Sequence, residues 1–210
     1  GKELHYVAVG SIFDKVNQNS IVWGTGVVSP EVRISKPHSI LAVRGPSTRE
    51  HILNQGWECP EVYGDPVLLL PEVYQPDIPK RYDVGIIPHY IDKDNEWVSN
   101  QNAFIIDITK DPFDVVDDIL RCDRILSSSL HGLIVADAYG IPSVWIELSD
   151  KVVGKGFKFR DYFRSTNRVG AYCDLRKDDV SLSQICSLET QPIDIDLELL
   201  KSVCPFHISP

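Results

Sequence analysis

Three serines followed by a histidine in the first turn of an apolar helix form the segment of this chain best suited to chemistry: Ser127-Ser128-Ser129-Leu130-His131-Gly132. A short apolar strand over 124–126 precedes it, the helix ends at Gly140, and Pro142 opens another apolar run. A strand–loop–helix junction of this kind offers backbone N–H groups, hydroxyls and an imidazole to one small anion, a phosphate or a carboxylate. With Ser129 as the N-cap, His131 lies beside the N–H groups that the helix leaves unpaired. The helix dipole there favours an anion and disfavours imidazolium, so a bound phosphate would let His131 carry a proton and act as general acid. The competing reading is a histidine bonded to a carbonyl, since Ile134, Val135 and Ala138 give the helix a packing face.

Other candidates sit at similar junctions. Arg44-Gly45-Pro46-Ser47 follows an apolar strand, where a guanidinium grips carboxylate or phosphate with two bonds. Ser47 or Thr48 can cap the next helix, and Glu50 stands at capping-box distance from Ser47. For Arg44 the alternative is an ion pair with a nearby acid. Asp65, in Gly64-Asp65-Pro66, is read first as a turn or cap residue and second as a catalytic base. His89 follows the strand ending at Ile87 and is either bonded to backbone or part of the site. Between Lys151 and Arg168 six basic residues meet one acid, Asp161. Within this island Lys158 and Arg160 are candidates to close over an anionic substrate, hinged at Gly154 and Gly156. An amphipathic helix with a solvated basic face explains the same pattern.

These residues need strands to hold them. Apolar runs of strand length occur at 6–9, 20–23, 39–43, 82–87, 103–106, 124–126 and 143–146, with helical segments at 47–55, 112–121, 130–139, around 161–163, at 181–188 and at 195–202. Near-continuous apolar strands alternating with helices predict an α/β fold with parallel sheets covered on both faces. The proline-rich stretch 71–79 reads as a linker, dividing the chain into a domain over 1–78 and another over 79–210. The first of these is short for a complete doubly wound domain. The chain also lacks methionine, even at position 1, so an earlier segment is expected to lie outside it.

Composition excludes several classes. A 43% hydrophobic share supports a true core, while a net charge of −9 argues against general nucleic-acid binding. A local basic island in an acidic protein suits a small anionic ligand. No run approaches the ~20 apolar residues of a membrane span. Five scattered cysteines without a C-x-x-C pair read as free thiols of a reducing cytoplasm. No glycine-rich nucleotide loop, nucleophile elbow or cluster with metal-ligand spacing is present.

Taken in order, Val43 to Arg49, Gly64-Asp65-Pro66 with Leu68 to Pro71, Gly85 to Tyr90, and Leu130 to Ala138 resemble the polysaccharide pyruvyl transferase family, and in particular bacterial exopolysaccharide ketal-pyruvate transferases. The resemblance implies two Rossmann-like halves similar to the glycosyltransferase B type, with the N-terminal half incomplete here. It implies transfer of pyruvate from phosphoenolpyruvate to a hydroxyl pair of a surface polysaccharide, giving a cyclic ketal and phosphate. The donor substrate is phosphoenolpyruvate itself, with no separate cofactor and no metal. The acceptor is a saccharide, free or lipid-linked, which places the enzyme in the cytoplasm or at the inner membrane face.

On this reading His131 protonates the enol carbon and His89 or Asp65 takes the hydroxyl proton. Arg44, Ser47, Ser128, Ser129, Gly132, Lys158 and Arg160 bind substrate. Many relatives carry arginine two residues before the motif histidine. Ser129 stands there in this chain, so Lys158, Arg160 or Arg44 is expected to supply the charge. The alternatives are a nucleotide-sugar-dependent glycosyltransferase and a non-catalytic anion- or sugar-binding domain.

Overall fold

Two parallel sheets, each backed by helices, make up the protein, and a computed structural model describes residues 3–168, 171–177 and 180–206. The chain divides into two compact units. The first comprises 1–69, 153–168 and 193–210; the second comprises 70–152 and 169–192.

In the first unit, β1 (His5–Val7), β2 (Ser20–Trp23) and β3 (Ser39–Ala42) form a parallel sheet in sequence order. A further parallel bridge joins Val43 to Tyr63. Helix α1 (Pro46–Leu53) follows β3 directly. Valines, Phe13, Ile52 and Cys59 fill the core.

The second unit holds β4 (Tyr82–Ile87), α2 (Glu96–Ser99), β5 (Phe104–Ile105), α3 (Pro112–Leu120), β6 (Cys122–Ser127), α4 (Leu130–Ala138) and β7 (Ser143–Glu147). Helix α5 (Phe157–Ser165) then belongs to the first unit, before β8 (Tyr172–Asp174) and α6 (Leu182–Cys186) return to the second. Helix α7 (Leu197–Ser202) ends the first unit. All pairings in the five-stranded sheet are parallel, in the order β5-β4-β6-β7-β8. Side chains alternate between two covered faces: Ile86, Leu126, Val144 and Ile146 join one apolar cluster, whereas the intervening Ile87, Ile125 and Trp145 are equally buried on the other side. That double burial is why the strands read as almost unbroken apolar runs.

The expected division at residue 78 differs from the observed one. The basic island from Val153 onward and the C-terminal helix pack with the first unit because each is fastened there. Asp161 on α5 is ion-paired to Arg44, and Trp23 donates its indole N–H to the carbonyl of Leu200 at 3.0 Å. The run Val67 to Leu70 belongs to a 3-10 helix (Pro66–Glu72). Two short elements, α2 and β8, have no counterpart among the expected segments. Among the described residues no helix is long and apolar enough to cross a membrane.

Candidate functional site

In the five-stranded sheet, β4 was laid down first, β5 adds on one side of it, and β6 on the other. Strand order therefore reverses between β4 and β6, and a doubly wound sheet binds ligands at the carboxyl ends of the strands at such a point. The register brings Ile87, the last residue of β4, opposite Ser127, the last of β6. His89 and the serine loop emerge from these two strand ends.

Hydrogen bonds tie the two exits together. The His89 N–H donates to Ser128 Oγ at 2.8 Å, and the Ser128 N–H donates to the Ile87 carbonyl at 3.0 Å. Ser127 Oγ donates to the Ser129 carbonyl at 2.8 Å and accepts the Ser129 N–H at 3.0 Å, which folds the loop tightly into α4. Ser128, 2% exposed, thus uses one oxygen lone pair on His89 and keeps an O–H to donate. Ser129 is the N-cap of α4, as expected, but its hydroxyl makes no capping bond. His131 stands in the first turn, half-buried, with Nε2 on its inner side.

Gly132 has a packing role. A Cβ there would lie 2.5 Å from Ser127 Oγ and 2.9 Å from Ile87 Cδ1, so only glycine lets the first turn of α4 settle on the ends of β4 and β6. At the other end, Gly140 with φ of +67° closes the helix before Pro142.

His89 caps a 3-10 turn (Tyr90–Asp92), its Nδ1 accepting the Ile91 N–H at 3.4 Å. In the neutral ring the proton then resides on Nε2, which makes that nitrogen the donor of the ring. This arrangement departs from the expectation that His89 serves as base.

The candidates of the first unit are placed differently. Arg44 is fully buried: Nε and Nη2 meet Asp161 Oδ2 at 3.1 and 3.0 Å, Nη1 donates to Ser11 Oγ and Nη2 to the Val27 carbonyl. The ion-pair alternative is therefore the one the structure displays, and the guanidinium does not face solvent. Asp161 also accepts the Thr48 N–H at 3.0 Å and the Thr48 O–H at 2.7 Å. The N-cap of α1 is Gly45, without a side-chain cap, in place of the expected Ser47 or Thr48. The anion expected at this junction is thus the protein's own carboxylate.

Ser47 accepts from Arg164, which also pairs with Glu50 and holds its carboxyl below the usual range. Asp65 is wholly buried and turns the chain, accepting the Val67 N–H at 3.1 Å. This is the turn role, not an exposed base. Arg160 is exposed and donates to the Lys155 carbonyl. The expected hinge is a left-handed run at Gly154, Lys155 and Gly156, the last capping α5. Lys158 is half-buried with its Nζ over the Phe159 ring, and among the described residues no carboxylate pairs with it. Burial, aided by the charge of Arg44, pulls its amine down to about 8.

At this end of the second unit Asp92 and Ser149 escaped the sequence reading, and Tyr90 entered it only as the last residue of the motif from Gly85. Of the first two, only Asp92 carried a signal, as an acid just beyond a strand, and acids are common in such turns.

Over residues 2–150, from before β1 to beyond β7, the chain matches the polysaccharide pyruvyl transferases. The stretch includes Arg44, Asp65, His89 and His131 but stops short of Lys158 and Arg160. An uncharacterized protein of Acanthamoeba polyphaga mimivirus is 32% identical over 212 aligned residues, covering 93% of this chain and 72% of the viral protein. The chain belongs to the polysaccharide pyruvyl transferase family.

Proposed function

We propose that the β4–β6 crevice binds phosphoenolpyruvate and that the enzyme moves its pyruvate onto a hydroxyl pair of a saccharide, forming a cyclic ketal. The observation that carries this reading is the bond from the His89 N–H to Ser128 Oγ, which gathers two strand exits at the switch point of the sheet. Around it lie the donors a phosphate needs: the Ser128 and Ser129 hydroxyls, the N-terminus of α4, and Nε2 of His89.

The chemistry follows. His131 gives a proton to the methylene carbon of the enol while a sugar oxygen bonds to the adjacent carbon. The second hydroxyl then displaces phosphate, whose departing charge the helix N-terminus and serines stabilise. Two hydroxyl protons leave the sugar; one replaces the proton spent on carbon and the other departs with phosphate. Arg44 and Asp65 support the first unit in this scheme and do not touch substrate. The architecture that goes with it is the glycosyltransferase B type, and the acceptor is free or lipid-linked on the cytoplasmic side.

Incubating the protein with phosphoenolpyruvate and a panel of oligosaccharides, and following phosphate release, tests the proposal. Release should fall by roughly 100-fold or more in His131→Ala, the scale of lost general acid catalysis. Undiminished release in that variant overturns the mechanism. Turnover only with nucleotide sugars would replace it with glycosyl transfer.

A further inference from the structure

The scheme above leaves open which group receives the acceptor's hydroxyl proton, since His89 is held as a donor and Asp65 is a buried turn residue. The 3-10 turn next to His89 supplies a different carboxylate. Asp92 is only 4% exposed. Its Oδ1 accepts the hydroxyl of Ser149, from the loop after β7, at 2.5 Å. Its Oδ2 is equally buried and makes no hydrogen bond within the described structure. Asn95, three residues beyond the turn, donates to the Leu148 carbonyl and keeps the same two loops together. A buried carboxylate oxygen without a donor costs free energy, and such costs concentrate where a protein does chemistry.

Beside it stands Tyr90, 59% exposed, its ring 4.4 Å from that of His89 and tilted by 34°. An exposed tyrosine braced by a second ring is a rigid platform, apolar on its face and polar at its edge. This is the surface a sugar ring requires, apolar C–H groups on one side and hydroxyls around the rim. The platform and the carboxylate share one turn at the carboxyl end of β4.

Resting on the pyruvyl-transfer reading, we propose that Tyr90 and Asp92 form the subsite for the acceptor sugar. Tyr90 carries the sugar ring, and Asp92 Oδ2 accepts the attacking hydroxyl. As the sugar oxygen bonds to the donor carbon, its O–H bond breaks and the proton passes to Oδ2. Asp92 becomes a neutral acid and, once phosphate has left, gives that proton up again, which makes good the one His131 spent on carbon. Ser149 holds Oδ1 and so fixes which oxygen reacts.

Saturation-transfer NMR with methyl glucoside and methyl galactoside, followed by kinetics, tests the subsite. Wild-type protein should transfer saturation to a hexoside, and Tyr90→Ala, a surface change that leaves the core intact, should lose it. In turnover the same variant should raise the acceptor KM roughly five- to tenfold at unchanged kcat and unchanged protection by phosphoenolpyruvate. Asp92→Asn keeps an oxygen for Ser149, so it should melt no lower than wild type, yet lose about 100-fold or more in kcat. Absence of saturation transfer in wild type, or its persistence in Tyr90→Ala, overturns the subsite whether or not phosphate is released. Full turnover in Asp92→Asn overturns the carboxylate's role. Failure of the pyruvyl-transfer reading would look different: no phosphate release from wild type, with hexoside binding still sensitive to Tyr90.

Discussion

Arg44 and Asp161, separated by 117 positions in sequence, meet at 3.0 Å with both side chains wholly excluded from solvent. The pair fastens α5 against the start of α1. Gly45 permits the approach, because a Cβ there would clash with Asp161. Two buried charges in contact do little net stabilising, but removing one strands the other in a medium that cannot solvate it. Arg44→Met should therefore destabilise the protein by about 3–5 kcal/mol in denaturant unfolding. Arg44→Met combined with Asp161→Leu should recover much of that loss. A double variant no more stable than the single one would show that Asp161 contributes chiefly by capping Thr48, not by pairing.

Gly132→Ala tests the seat of α4. The added methyl would fall against Ser127 Oγ and Ile87 Cδ1, both parts of central strands that cannot give way cheaply. A destabilisation of about 1–3 kcal/mol is expected, the usual size for overpacking. Phosphate release should drop as well, since Ser127 shapes the loop that presents Ser128. A thermal melt identical to wild type would mean that the helix shifts without cost.

What the sequence showed of this protein depended on range. The limits of β2 and β4 agree with the apolar runs at 20–23 and 82–87, because β2 is buried along nearly its whole length and β4 over its last three residues. Strand β8 has three residues, of which only Cys173 is buried, and it exists because β7 offers it an edge. Helix α2 is a single turn set by Asn95, whose side chain accepts from Trp97 and Val98. Neither carries a periodic pattern of its own. The junction at Ser128 and His131 was legible because it is local, a strand end followed by a helix start. The partner of Arg44 was not, since nothing in a linear pattern pairs positions so far apart. Its one trace was Asp161 standing as a lone acid within a basic stretch. Asp92 could be singled out only once a bond to Ser149 defined one oxygen and left the other.

The buried thiols give a prediction independent of function. All five cysteines are free, and burial pushes Cys59 up to about 11 and Cys122 up to about 12. Thiolate is the reactive form, so both should resist alkylation in the native protein near neutral pH and react fully once it is unfolded. Mass spectrometry of peptides after brief labelling would decide. Rapid modification of Cys122 without unfolding would contradict its place at the base of β6.

Lys158 couples folding to pH in an unusual direction. Its amine is brought from the ordinary 10.5 to about 8 by burial first and by the charge of Arg44 second. Below about 8 it is charged in both the folded and unfolded chains, and the folded protein bears the whole cost. Between about 8 and 10.5 the unfolded chain holds a proton that the folded one has released. The unfolded state then binds more protons, so this residue makes stability rise as pH increases through that window. The stability difference between wild type and Lys158→Met should accordingly shift in favour of wild type over the same range. A difference that stays flat with pH would show an amine titrating at its ordinary value. Competitive acetylation across pH locates the titration directly, and adding inorganic phosphate asks whether Lys158 is an anion ligand. A bound phosphate would stabilise the ammonium and move the titration upward. A titration unchanged by phosphate would remove Lys158 from the residues that meet substrate.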